Sequence, residues 1–211
     1  MSFWEVLSNN GGDVWRHTVE HLGLVLVSTL AAIAVGLPLG VMLTRRPALR
    51  APILGLVNVF QTIPSLALFG LLIPLPFIGG IGARTAIVAL VVYALLPIVR
   101  NTYAGIQAVD PAVREAAIGM GMSDAELLRL VELPLAAPVI LAGVRIATVV
   151  GVGIATIAAA IGAGGLGEFT FRGVSMVDYR VILLGAIPAA LLALILDGAL
   201  HLVERAVDWR R

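Results

Sequence analysis

Cysteine and lysine are both absent from this 211-residue chain, and charge of either sign is scarce. The missing cysteine excludes disulfides, thiolate metal sites and thiol nucleophiles. Because all fourteen basic residues are arginine, a phosphate-loop lysine, a Schiff-base lysine and a lysine general base are excluded as well. Any ATP used must therefore be bound by another chain. Only 13% of the residues are charged against 60% hydrophobic, where a soluble domain carries roughly 25% and 45–50%. The formal charge of +1 provides no basic field for nucleic acid. Three histidines, His17, His21 and His201, lack metal-ligand grouping, so no metal site is expected, and they read as interfacial residues.

What the chain has in plenty is long apolar runs. Crossing about 30 Å of hydrocarbon at 1.5 Å per residue takes about 20 apolar residues. Five runs qualify: 22–43, 51–78, 83–103, 138–161 and 181–203. Pro64, Pro74 and Pro76 are able to break or kink the second. The expectation is an all-α membrane protein of about five spans in a single transmembrane domain, 22–211, preceded by an external segment, 1–21. Arg45, Arg46, Arg50, Arg100, Arg114, Arg129, Arg205, Arg210 and Arg211 fall on one side of these spans, against Arg16, Arg84, Arg172 and Arg180 on the other. The positive-inside rule then puts the N-terminus outside and the C-terminus in the cytoplasm. The first run lacks a basic flank and a small-residue cleavage site, so it reads as a retained span. Trp4, Trp15, Tyr179 and Trp209 fall where interfacial aromatics are expected.

The cytoplasmic loop, about 104–137, reads as two short helices. Asp110 is placed to cap the first, with Pro111 at its first position. Gly119 and Gly121 interrupt it. Ser123-Asp-Ala-Glu126 forms a capping box for the second, whose Leu127, Leu128 and Val131 share a face and which Pro134 helps to end. Spacing alone leaves an amphipathic, membrane-surface loop equally open.

Glu115-Ala116-Ala117, then Gly121, Val131 and Leu133-Pro134 at fixed spacing, resemble the EAA loop of permease subunits of binding-protein-dependent ABC importers. That pattern usually has Ile where this chain has Val131. The segments beginning at Gln61, Tyr93 and Ile161 are similar to the osmoprotectant branch, whose members import glycine betaine, carnitine, choline and related quaternary amines. The resemblance implies a type I ABC importer permease fold with a cytoplasmic coupling helix and a bacterial-type inner-membrane location. It also implies a second permease, identical or paralogous, two ATPase subunits holding ATP and Mg, and an external solute-binding protein. The loop would dock into a groove of the ATPase. A permease for an amino acid or related solute, a secondary transporter or channel, and a membrane-embedded enzyme are the competing readings. The last lacks any paired acid and base, nucleophile with a base, or metal cluster.

Other motifs carry two readings each. Gly162-Ala-Gly164-Gly165-Leu-Gly167 matches a dinucleotide-binding pattern, but it ends an apolar span where the fingerprint needs a preceding strand. It reads as a bend supporting an external gate, or as an ordinary turn. Gly143, Ala147, Gly151, Ala155 and Ala159 form a flat packing stripe, toward either this chain or a second permease; Gly36 and Gly40 share that ambiguity. Asn58, Gln61 and Thr62, beside Pro64, are candidates to line a translocation path or to bond between helices. Arg145 and Asp197 lie roughly 10–12 Å deep, where an unpaired charge costs about 3 kcal/mol. They read as a structural pair, as separately hydrated charges, or as path lining.

Overall fold

The computed structural model describes residues 3–207, and among these every regular element is helical. Trp209, Arg210 and Arg211 lie outside the described residues. The first helix, α1, runs unbroken over Phe3–Arg45, so residues 3–21 and the apolar run from 22 form one continuous helix. Its Asn9-Asn-Gly-Gly12 stretch has poor helix propensity, but Val6, Leu7 and Val14 pack against Phe169, Val181 and Leu184. Tertiary burial there outweighs local preference.

The expected second span, 51–78, is two helices. α2, Pro47–Thr62, and α3, Ser65–Leu72, meet at 101°. Pro64 lies at the break, and the chain before a proline is driven out of the helical region: Ile63 is extended, with ψ 126°. After α4, Ala83–Gln107, the loop contributes α5, Pro111–Gly119, and a short α6, Asp124–Glu126. α6 does not stop at Pro134. It passes through a π-helical turn, Leu127–Glu132, straight into α7, Leu133–Ala158. Pro134 has no N–H and its ring crowds the carbonyl four residues back; the widened turn, with Leu133 N–H donating to the Leu128 carbonyl, carries the helix past it. A 3₁₀ turn, Ala159–Ile161, leads to α8, Gly167–Met176, and α9, Tyr179–Val207.

Four helical stretches are long and apolar enough to span a membrane, and five if bent α2–α3 counts as one. The chain therefore alternates between two ends. α1, α4 and α7 form the centre. Small residues set their spacing: a Cβ on Gly40 would lie 2.5 Å from Thr102, and one on Gly143 would lie 2.6 Å from Asn101. Ala147 and Ala155 are buried in the same seams, so both small-residue stripes serve packing within this chain. Large apolar residues such as Leu191, Leu194 and Ile195 of α9 face outward, as expected where lipid is the solvent. α1, α2, α4, α7 and α9 each contain one internal proline: Pro38, Pro52, Pro97, Pro138 and Pro188.

Candidate functional site

The loop between α4 and α7 is locally as its sequence dictates. Asp110 Oδ1 accepts from the Ala112 N–H at 2.8 Å, with Pro111 opening α5. The Ser123 N–H donates to Glu126 Oε2 at 2.8 Å, and Ser123 Oγ accepts from the Glu126 N–H at 3.4 Å, completing the capping box. Gly121 has φ +84°, the left-handed conformation that lets the chain reverse between α5 and α6. Of the spaced motif, Glu115, Ala116 and Gly121 face outward and Ala117 is buried; Val131, Leu133 and Pro134 are half-buried. Ile118 and Met120, 58% and 73% exposed, share the outward surface with Glu115.

Beneath this loop lies a cluster that the sequence did not announce. Glu132, its side chain 1% exposed, is held by guanidinium groups from two other elements. Arg45, at the end of α1, grips it bidentately: Nη1 donates to Oε1 at 3.3 Å and Nη2 to Oε2. Arg114 of α5 brings Nε to 3.1 Å from Oε1, an ion contact without hydrogen-bond alignment, while its Nη2 donates to the Ile106 carbonyl at the end of α4. Apolar packing of Ile106, Ala136 and Ile140 with Leu37, Val41 and Leu133 adjoins the cluster. The usable sequence signal was a lone carboxylate between Val131 and Leu133 at the mouth of an apolar run, where a buried charge needs a partner.

The polar candidates near the bend divide. Pro97 leaves the Tyr93 carbonyl without its helical donor, and Gln61 Nε2 supplies one across the interface at 2.5 Å. The Tyr93 hydroxyl donates back to the Ile63 carbonyl, so two bonds brace the bend on α4. Gln61 also borders an opening of about 220 Å³ with Arg100 and Asn101. Arg100 and Leu96 are shared with a second opening of about 250 Å³ that includes Asn58, Arg50 and Tyr103. Thr62 bonds only its own helix, through the Val59 carbonyl at 2.7 Å.

At the opposite end, the glycine-rich segment is a loop held by α1. Gly162, Gly164 and Gly165 have φ of +71°, +80° and +80°, and Gly167 opens α8. Glu20 Oε2 accepts from the Gly165 N–H at 3.2 Å. His21 Nδ1 accepts from the Leu166 N–H at 3.3 Å, which leaves Nε2 to donate to the Val152 carbonyl at 3.0 Å. His21 is fully buried and His17 nearly so, both enclosed by protein. His17 lies between Glu20, at 2.9 Å, and Glu168, at 3.6 Å. Among the described residues no three His, Cys, Asp or Glu side chains are grouped to hold a metal ion.

Arg145 and Asp197 do meet, Nη1 to Oδ1 at 3.5 Å. Arg145 Nε lies 3.4 Å from Glu204 Oε2, and His201 Nδ1 is 3.8 Å from that same oxygen. The pair is thus part of a network that also takes in Glu204, a residue the depth argument did not single out.

Residues 36–209 match the family described as the inner membrane component of binding-protein-dependent transport systems. The choline transport system permease protein OpuBB of Bacillus subtilis is 45% identical over 201 residues, covering 95% of this chain and 91% of that protein. The osmoprotectant import permease protein OsmW of Salmonella typhimurium is 46% identical over 198 residues, 93% of this chain and 92% of its own. Among solved structures, the inward-facing MetNI methionine ABC transporter aligns with TM-score 0.82 at 29% identity, over 91% of this chain and 94% of that one.

Proposed function

This chain belongs to the inner-membrane components of binding-protein-dependent transport systems, and we propose that it forms, with a second permease chain, the path for a compatible solute such as glycine betaine, choline or carnitine. The solute assignment is carried by the likeness to OpuBB and OsmW over nearly the whole chain. ATP and Mg belong to separate ATPase subunits, and a solute-binding protein delivers the cargo to the external face. That the N-terminus is external and the C-terminus cytoplasmic follows from the arginine bias. It is supported by the grouping of Arg45, Arg114 and Glu132 at one end.

The outward surface of α5 fits a docking role. Ile118 and Met120 present apolar area beside the charge of Glu115 and the small side chain of Ala116, a combination that suits close protein contact. Closure of paired ATPases would push on this surface, and the loop would carry the push into the spans as a rigid-body movement. No chemistry on the solute is involved. The contiguous openings along α2 and α4, with Asn58, Gln61 and Asn101, offer hydrogen-bonding groups for passage. The glycine loop, Gly162 to Gly167, forms part of the gate at the other end.

Reconstitution tests this reading. The permease, its ATPase and its solute-binding protein in vesicles should hydrolyse ATP faster when glycine betaine, choline or carnitine is present, and take up the labelled solute. Stimulation only by methionine or another amino acid would replace the solute assignment and keep the permease. Uptake driven by an ion gradient without ATP would overturn both.

A further inference from the structure

Glu132 is the one carboxylate in the described residues that is sealed from solvent and contacted by arginines from two different elements. Those arginines come from opposite parts of the machinery. Arg114 belongs to α5, the helix whose outer surface meets the partner; Arg45 terminates α1. Arg114 also holds the last turn of α4 through the Ile106 carbonyl, and Glu132 itself stands at the junction where the π-helical turn becomes α7. One cluster therefore ties the loop helix to three membrane helices. Its net charge is positive, with two guanidinium groups sharing one carboxylate. Removing that carboxylate would leave two partly exposed guanidinium groups, Arg45 and Arg114, facing each other without the buried charge that draws them together.

The π-helical turn gives the cluster its register. A turn widened by one residue rotates the helix beyond it by about 100° relative to a continuous α-helix, and Glu132 closes that turn beneath α5. Such turns recur at working sites in helices.

We propose that Glu132 is the positioning residue that transmits displacement of α5 to α1, α4 and α7 together. This rests on reading the chain as an ATP-driven permease. Coupling then depends on the charge of Glu132 as well as on the loop's docking surface, and an uncharged residue of the same shape will not replace it.

The test uses the whole transporter in vesicles, with labelled choline, glycine betaine and carnitine as probes, and reads solute moved per ATP hydrolysed. Glu132→Gln is expected to lower that ratio about tenfold or more, since losing one partner of a buried ionic contact exceeds the interaction change that gives a decade. Hydrolysis itself should stay within about threefold, a change of well under one decade. Glu132→Asp, which keeps the charge, should recover part of the ratio. Arg46→Gln, which alters an exposed neighbour outside the cluster, should leave it unchanged. If Glu132→Gln fails to assemble, Arg45→Gln decides the matter, because it leaves the neutral Arg114–Glu132 contact in place; the same loss of ratio is expected. An unchanged ratio in the assembled variants, whether both rates persist or fall together, overturns the proposal and leaves Glu132 a structural staple. A wild-type transporter without solute-stimulated hydrolysis overturns the permease reading first, and this inference with it.

Discussion

At the C-terminal end of α1, Arg45 reaches a carboxylate sealed from solvent; near the middle of the same helix, Glu20 and His21 reach backbone N–H groups of a glycine-rich loop. Both contacts hold the same helix to segments far along the chain. The first is charge against a buried carboxylate, and it stays attractive as the groups shift by a fraction of an ångström. The second depends on hydrogen-bond direction and on a backbone that only glycine adopts easily. An end built from ions tolerates movement while remaining connected. An end built from directed bonds to a glycine-dependent backbone is held in one arrangement or released. The difference suits the roles proposed for the two regions, a moving coupling end and a gate with discrete positions.

The largest expected effect comes from the coupling end. Glu115→Arg reverses a charge on the exposed face of α5, and a like-charge mismatch at a docking surface costs about 2–4 kcal/mol. Solute-stimulated ATP hydrolysis should fall to the basal rate while thermal stability of the isolated chain is unchanged. Normal transport would remove the docking face from the comparison. The glycine end comes next: Gly165→Val puts a Cβ 3.0 Å from His21 Nδ1 at φ +80° and should destabilise the chain by about 2–4 kcal/mol, read as a lowered melting temperature in detergent. ATPase binding at the far end should persist.

Gly121→Val sharpens the comparison by separating backbone strain from crowding. Its φ is +84°, but no atom lies within 4 Å of the added Cβ, so the loss should be about 1–2 kcal/mol, smaller than at Gly165 in the same melting experiment. The smallest effect is expected at the network between α7 and α9. Asp197→Asn leaves Arg145 in contact with Glu204 at 3.4 Å, and with half-exposed partners the loss should stay under about 1 kcal/mol. Removing both acids should cost more than the sum of the single changes. Strict additivity in melting measurements would dissolve the network into independent contacts.

Features that depend on neighbours in sequence were legible. The apolar runs, the Asp110 cap, the Ser123–Glu126 box and the break at Gly119 and Gly121 stem from local spacing and turn chemistry. A meeting of Arg145 and Asp197 was one of three readings their similar depth allowed, and the contact selects it. Three things were not legible. The helical course of residues 3–21 depends on burial against α8 and α9, more than 150 residues away. The bend at Pro64 was visible as a break, but its 101° is set by the brace to Tyr93. Glu132 finds its partners 87 and 18 positions back along the chain, and no periodicity records such pairings.

The bond from Gln61 to the Tyr93 carbonyl has an evolutionary consequence. Pro97 makes that carbonyl available, and Gln61 occupies it. A chain that exchanges Pro97 for a residue with an N–H closes the gap within α4 and makes the glutamine amide share the Tyr93 carbonyl with a second donor. A chain that keeps the proline and loses the glutamine leaves that carbonyl without its protein donor. Either step alone is disfavoured, so the two positions constitute a single inherited unit. Across relatives they are expected to be retained together or exchanged together, although they lie 36 positions apart.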